Sequence, residues 1–374
     1  MEAHMPVEFI GWIDTQESSE ISLRPGPLVD AGYLRDIAGA HEEADFDRVL
    51  IGWFSSRPDG LQVAAQAAAT TDRLGMLIAH RPGFIAPTLA ARMFATLDQF
   101  TGGRVALHTI SGSSDVEQRR DGDYLTKDQR YARTDEYLDI VRMTWTRDEP
   151  FSYDGEYYKL EDGFSSVKPT QEPHIPIFFG GSSEAAYRVG AKHADVFMLW
   201  GEPLAETAEQ IASVRAHADP IGARPEFSVS FRPILAPTDE LAWERAHDIL
   251  AKIEAGGSRA LLQKMMPGGV APGPANAGSQ RLLAAAEKAD RHDRALWTAT
   301  AKATGAGGNS TALVGSPGTV AAAILDYIDL GVTRILIRGF EPLKDAIAFG
   351  QHLIPLVRDE VRRREAAGAD TRVA

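Results

Sequence analysis

The 374-residue chain contains no cysteine, which excludes disulfides, thiolate metal sites and a cysteine nucleophile. That absence fits any compartment. It has no excess of basic residues: 39 Lys and Arg stand against 52 Asp and Glu, a formal net charge of −13. Such a balance speaks against a nucleic-acid backbone as partner. No run of about 18 apolar residues occurs, so no membrane span is expected. The N-terminus lacks a basic region leading into an apolar run, and a cytoplasmic location is the default expectation. Motifs with a fixed mechanism are missing too. There is no GxGxxG, no GxxxxGK, no GxSxG and no HExxH. With 44% hydrophobic residues, the chain nevertheless has ample material for a core.

What is present is a repeat of strand and helix signals. Strand-like runs fall at 7–13, 48–53, 74–80, 104–110, 175–179, 195–199, 227–235 and 333–338. Helical patterns lie between them, at 29–43, 62–72, 87–99, 129–145, 184–193, 205–216, 242–255, 317–330 and 343–364. The strands are near-continuous apolar runs, as a parallel sheet covered on both faces requires. Eight of them, each followed by a helix, give the count of an α/β fold of the (β/α)8 TIM barrel type. An open doubly wound sheet is the competitor, and the missing glycine fingerprint speaks against it.

Three stretches interrupt the repeat. Residues 112–128 read as a polar loop, and 149–159 as a β-hairpin around Asp154-Gly155. The largest insertion, 256–309 after the seventh strand, is Gly/Pro/Ala-rich at its start, and a segment that long is expected to be a mobile lid. The expected organisation is thus one domain over 1–364 with a flexible tail at 365–374.

The segment Ile175 to Phe179 reads as a buried strand that breaks at Gly180-Gly181 and opens a helix behind Ser182-Ser183. Paired glycines let a ligand approach the backbone, and a helix N-terminus offers free N–H groups and partial positive charge. This suits a phosphate, and in an α/β chain a phosphorylated cofactor such as FMN. An ordinary serine-capped turn is an equal reading of this segment alone.

Barrel chemistry sits at the carboxyl ends of the strands. Those ends supply Trp12, Trp53, Phe54, Ser56, Arg57, His80, Arg81, His108, Thr109, Ser111, Gly181, Ser182, Trp200, Arg232 and Arg338. The set is rich in aromatics, arginines and hydroxyls and poor in the carboxylate pairs or His/carboxylate clusters of hydrolases and metal enzymes. It suits a flat cofactor with a phosphate and an anionic substrate. Each residue has a plainer role open to it: tryptophans capping the core, His80 and His108 satisfied within it, Arg81 anchoring a turn. Arg232 and Arg338 are harder to explain that way, because arginine is seldom buried unpaired and its planar fork suits anions.

An ordered set of motifs runs through nearly the whole chain. It comprises Arg81-Pro-Gly-Phe-Ile-Ala-Pro-Thr-Leu-Ala-Ala-Arg92, Ala95-Thr-Leu-Asp98, Thr101-Gly-Gly-Arg104, Ser111-Gly-Ser113, Arg130-Tyr131, Phe179-Gly-Gly-Ser-Ser183, Leu199-Trp-Gly-Glu-Pro203 and Thr311-Ala-Leu-Val-Gly315. With these the sequence resembles the bacterial-luciferase-like flavin-dependent monooxygenases, and within them the alkanesulfonate monooxygenase group. The resemblance implies a TIM barrel with a lid after strand seven. It implies reduced FMN (FMNH2) used as a dissociable co-substrate with O2, supplied by a separate NAD(P)H-dependent flavin reductase. A sulfonate substrate would then yield an aldehyde and sulfite. By motif position the phosphate is expected at Arg130, Tyr131, Gly181, Ser182 and Ser183. The isoalloxazine is expected near Ala79, His80, His108 and Thr109, Ser111 is expected among the cofactor-binding residues, and Trp200 beside the active site. A homodimer or homotetramer is a further implication.

The chain also departs from that group. Arg57 or its neighbour stands where those enzymes have a cysteine, Ser230-Phe231-Arg232 replaces their Arg-x-His, and Phe340 aligns with their tyrosine. Arg57, Arg232 and Arg338 are therefore expected to rebuild an anion pocket, for a polar sulfonate such as a sulfosugar, with His80 or His108 assisting proton transfer. No metal is expected. Other readings are a Baeyer–Villiger or sulfone oxygenase, a deazaflavin (F420)-dependent dehydrogenase of the same barrel type, and a non-catalytic flavin-binding barrel.

Overall fold

The computed structural model describes residues 7–22, 26–112, 114–256, 276–308 and 310–370. Eight parallel strands close into a barrel. They are β1 (Glu8–Ile13), β2 (Arg48–Ile51), β3 (Gly75–His80), β4 (Val105–Thr109), β7 (Ile177–Gly180), β8 (Val196–Trp200), β9 (Glu226–Leu235) and β13 (Val332–Ile337). Each pairs with the next in that order, β8 pairs with β9, and β13 pairs with both β9 and β1, so the ring has no open edge. The eight runs expected as strands are these eight strands, and the fold is a (β/α)8 barrel with insertions.

Helices follow the strands and form the outer layer: α1 (Ala31–Glu43), α2 (Gly60–Ala68), α3 (Pro87–Thr101), α5 (Lys127–Thr146), α6 (Glu184–His193), α7 (Leu204–Ala218), α8 (Asp239–Glu254) and α11 (Pro317–Ile328). Several begin on side-chain caps. Asp30, Asp59, Ser183, Thr238 and Ser316 each accept a backbone N–H three residues on, and Thr126 with Gln129 forms a reciprocal capping box. The expected final helix, 343–364, is two: α12 (Pro342–His352) and α13 (Ile354–Asp370). Pro355, which has no N–H to donate, allows the chain to begin a new helix there but not to continue the old one. The second helix covers 365–370, placed in the tail by the sequence reading; 371–374 lie outside the described residues.

The interruptions take definite form. The polar loop 112–128 carries a short helix, α4 (Asp115–Arg120), capped by Ser114. The hairpin is β5 (Phe151–Asp154) with β6 (Lys159–Gly163), extending a few residues beyond its expected end. Of the expected lid, 257–275 and 309 lie outside the described residues. Its remainder is folded: α9 (Ala277–Lys288), an antiparallel β10 (Arg291–His292) with β11 (Leu296–Trp297), and α10 (Ala299–Thr304). β11 joins β12 (Ala312–Gly315), which pairs in parallel with the outer half of β9. No helix among the described residues is long and apolar enough to cross a membrane.

Alternation along each strand decides which residues reach the site. Ile10, Leu50, Leu77, Ala106, Phe178, Val196 and Leu336 fill the barrel interior. Residues one position away, such as Val49, Met76, Ile78, Val105 and Leu107, pack outward against the helices. Two residues further along the inward rows stand Trp12, Gly52, Ala79, His108, Gly180, Met198 and Arg338, which form the mouth.

Candidate active site at the barrel mouth

The turn between β7 and α6 has the form of an anion cradle. Gly181 has φ +154, a conformation that favours glycine, and a β-carbon there would stand 2.6 Å from Ala186 Cβ and 2.9 Å from Tyr131 Oη. Ser183 caps α6 by accepting the Ala186 N–H, and its side chain also hydrogen-bonds the Tyr131 hydroxyl. Burial raises the Tyr131 pKa, so its hydroxyl stays protonated. Gly180 to Ser183 are half-buried, leaving the first turn of α6 accessible. Tyr131 thus comes beside Gly181, Ser182 and Ser183, the set the sequence associates with phosphate.

Next to this turn the mouth is floored by small side chains. Ala79 and Gly180 stand small above Leu77 and Phe178, whereas the room beside Gly52 is taken by the Trp12 and Phe54 rings, which come within 3.0 Å of where its β-carbon would be. His108 borders it. Burial pulls its imidazole pKa down to about 4, so the ring is neutral at pH 7. Its Nδ1 is buried and has no hydrogen-bond partner among the described residues, and its Nε2 lies 3.5 Å from where a Gly180 β-carbon would be.

A second group of unsatisfied polar atoms lies at the ends of β2 and β3 and on α4. Arg81 Nη2 donates to Trp53 O at 3.3 Å and faces Glu117 Oε1 at 3.5 Å, while its Nε and Nη1 are buried without partners among the described residues. Glu117 Oε1 accepts the Ser55 N–H at 2.6 Å. Ser55 Oγ and both amide atoms of Gln118 are likewise buried and unpartnered. Buried polar groups are rarely left so, and a cluster of them beside a mouth marks a place where a polar ligand belongs. Gln118 and Glu117 were not legible as site residues; they sit in what reads as a solvated loop.

The three arginines expected to hold an anion do come together. Arg232, 1% exposed, forks onto Glu20 (Nη1–Oε1 2.8 Å, Nη2–Oε2 2.7 Å) and donates to the Arg338 and Gly339 carbonyls. Its guanidinium carbon lies 4.0 Å from the Phe340 ring. Burial pushes the Glu20 pKa up, but Arg232 and Arg338 outweigh it and hold the carboxyl well below the usual range. Arg57 faces Asp14 at 3.6 Å and donates to Ser18 Oγ at 3.3 Å. Arg338 lies over Trp12 at 5.0 Å, with one long bond to Ser18 O and a buried Nε lacking a partner among the described residues. Desolvation lowers its pKa against the pull of Glu20. Arg232 is therefore committed to Glu20, and Arg338 is the member with donors to spare.

Other expected residues are placed differently. His80 and Thr109 sit on the outward rows: His80 Nε2 bonds Tyr137 Oη at 2.6 Å in the helical shell, and Thr109 is fully buried. Arg130 is 2% exposed and clamps the 111–125 loop through the carbonyls of Ser111, Leu125 and Gly112 and through Asp115. The Ser111 hydroxyl pairs with Thr134 at 3.2 Å. Ser113 lies outside the described residues. Trp200 stands below α9, where a Gly278 β-carbon would be 2.7 Å from its ring, and packs with Leu282, Leu283, Ala301 and Ala306.

Among solved structures, this fold is similar to a riboflavin lyase (RcaE) with modified FMN and its substrate riboflavin (TM-score 0.76, 20% identity, 95% of this chain and 92% of that chain). It is similar also to EDTA monooxygenase (EmoA) from Chelativorans sp. BNC1 (0.74, 16%, 95% and 94%). A third is the oxygenating constituent of 3,6-diketocamphane monooxygenase from Pseudomonas putida, a type II Baeyer–Villiger enzyme in complex with FMN (0.68, 18%, 94% and 99%). At these identities the likeness is one of fold. The sequence itself matches the luciferase-like monooxygenase family over residues 7–334, almost the entire barrel. The chain belongs to the luciferase-like monooxygenase family.

Proposed function

We propose that this chain is the oxygenating component of a two-component flavin monooxygenase. It takes reduced FMN from an NAD(P)H-dependent flavin reductase and oxygenates a polar organosulfonate, releasing sulfite and leaving an aldehyde. The observation that carries the reading is the Gly181–Ser183 cradle with Tyr131, opening onto a mouth that still holds unspent donors on Arg338 and Arg81. Solved relatives in fold contain FMN or modified FMN, which supports a flavin here.

The residues present fit FMN. The first turn of α6, Ser183 and Tyr131 would hold the phosphate. The small floor of Ala79 and Gly180 would take a planar ring beside Trp12, and the orphaned atoms of His108, Arg81 and Gln118 supply donors and acceptors for its polar edge. When bound, reduced FMN supplies the activation of O2, one oxygen going to the substrate carbon and the other to water. Neutral His108 can hold or pass a proton at Nε2. Trp200 beneath α9 helps to exclude water from the mouth. Arg232 and Arg338 both bear on the one carboxylate of Glu20, and the spare Nε of Arg338 suits a monoanionic sulfonate. Arg338 and Arg57 would orient that anion.

The test is sulfite release with O2, FMN, NADH and a flavin reductase across alkyl, aryl and sugar sulfonates. Sulfite from a polar member is the expected result. No sulfite from any member, with reduced FMN still bound, overturns the sulfonate assignment and turns attention to Baeyer–Villiger substrates.

A further inference from the structure

A line of aromatic side chains leaves the mouth through the helical shell. Trp53, half-buried at the end of β2, meets the His80 imidazole edge-on at 5.6 Å. His80 Nε2 is 2.6 Å from Tyr137 Oη, a short hydrogen bond between two side chains that are 1% and 0% exposed. The Tyr137 ring meets Tyr158 at 5.9 Å, and Tyr158 is half-buried on the β5–β6 hairpin at the surface. Glu136, one residue before Tyr137, pins that hairpin by accepting the N–H groups of Glu156, Tyr157 and Tyr158.

A phenol gives up an electron readily only when its proton has somewhere to go. Tyr137 has a base in contact, whereas the Tyr158 hydroxyl is buried with no partner among the described residues. Burial without a counter-ion brings the His80 pKa down to about 4, so the imidazole is neutral and can accept a proton at Nε2. Trp53 needs no immediate base to pass an electron on. The proton reading of the sequence put His80 at the flavin; its position in the shell suits a different task.

We propose that Tyr137 and His80 form a redox-active tyrosine–histidine pair, fed from the mouth through Trp53, that drains stray oxidising equivalents away from the active site. A peroxyl radical at the mouth takes an electron from Trp53 and a proton from solvent, and becomes a hydroperoxide. Tyr137 refills Trp53, and its phenolic proton moves to His80 Nε2, leaving a neutral tyrosyl radical beside an imidazolium. An electron from a low-molecular-weight thiol at the surface tunnels past the Tyr158 ring, which is not itself oxidised, to the Tyr137 radical, and the proton moves back from His80 to Tyr137 Oη. The thiol releases its own proton to water, and two thiyl radicals join as a disulfide.

The pair is tested with light, without substrate or reductase, so failure of the sulfonate reading leaves it untouched. The full-length protein is mixed with oxidised FMN as photo-oxidant, illuminated, freeze-quenched after increasing dark intervals and read by electron paramagnetic resonance. The slowest-decaying tyrosyl signal is expected to vanish in Tyr137→Phe, to decay faster in His80→Gln and to persist in the exposed-site control Tyr124→Phe. Trp53→Phe, at the rim, should lower the yield of that signal in a protein that melts like the wild type. A slow tyrosyl signal that survives in Tyr137→Phe, or none in the wild type, overturns the proposal. A Tyr137 hydroxyl that merely satisfies a buried imidazole would alter stability in these variants and produce no such radical.

Discussion

Two neighbouring glycines separate what the fold needs from what a ligand needs. At Gly180 an added β-carbon would meet His108 Nε2 at 3.5 Å, Met198 O at 3.7 Å and Met198 Cβ at 3.9 Å, all ordinary contacts. The fold therefore accepts Gly180→Ala, and the reduced freedom of the unfolded chain makes it more stable by about 0.5 kcal/mol. In a chain of this size that raises Tm by about 2 °C or less. The same methyl stands on the floor of the mouth, where a flavin ring would lie in van der Waals contact. Lifting the ring should cost at least about 1.4 kcal/mol, a tenfold rise in Kd. At Gly181 the φ of +154 and the 2.6 Å approach to Ala186 Cβ make alanine strained, by about 1–3 kcal/mol, so Gly181→Ala should lose both stability and binding. Anaerobic titration of reduced FMN by tryptophan quenching reads the binding, and thermal melting without ligand reads the fold. If Gly180→Ala binds reduced FMN like the wild type, the ring does not lie on this floor. If it melts as low as Gly181→Ala, the packing argument is wrong.

Other perturbations follow the same logic. Gln118→Leu removes a buried amide with no partner among the described residues, so the ligand-free protein should gain about 1 kcal/mol in urea unfolding while flavin-dependent activity falls; a loss of stability would mean the amide is satisfied. Glu20→Ala strands the Arg232 guanidinium and should destabilise by about 3 kcal/mol, read as a lower urea midpoint. Burial holds His41 and His80 at about 4, below their unfolded value of 6.5. The unfolded chain therefore takes up protons first. The stability contributed by these two is complete above about pH 6.5 and is lost as pH falls toward 4, by up to about 1.4 kcal/mol per unit for each. A urea midpoint unchanged between pH 7 and pH 5 would contradict that. Arg338→Met should raise KM for an anionic substrate and leave reduced-FMN binding unchanged, and equal losses in both would place Arg338 with the flavin instead.

The fold was legible because each barrel strand is a short apolar run with turn residues at its ends, and because length separates these runs from the amphipathic helices. Helix α6 starts and stops where Ser183 and the residues after His193 indicate. The same continuity hid the orientation of the strand ends. With both faces apolar, nothing in Met-Leu-Ile-Ala-His (76–80) tells which residue points inward, and the choice fell on His80 as well as Ala79 when only Ala79 faces the mouth. Arg232 reads as a pocket arginine because its partner Glu20 lies 212 positions away, in a loop with no periodicity to place it. Gln118 was invisible for a related reason: a polar residue in a polar loop carries no sign of burial until α4 folds over Gly112. The Gly180–Ser183 turn was readable because its chemistry is local.

The most direct measurement compares reduced FMN with reduced riboflavin, which lacks the phosphate, in anaerobic titrations of the wild-type protein. With the phosphate on the first turn of α6 against Ser183 and Tyr131, FMN should bind at least about tenfold more tightly. Equal affinity for the two would contradict the placement of a phosphorylated flavin in this mouth.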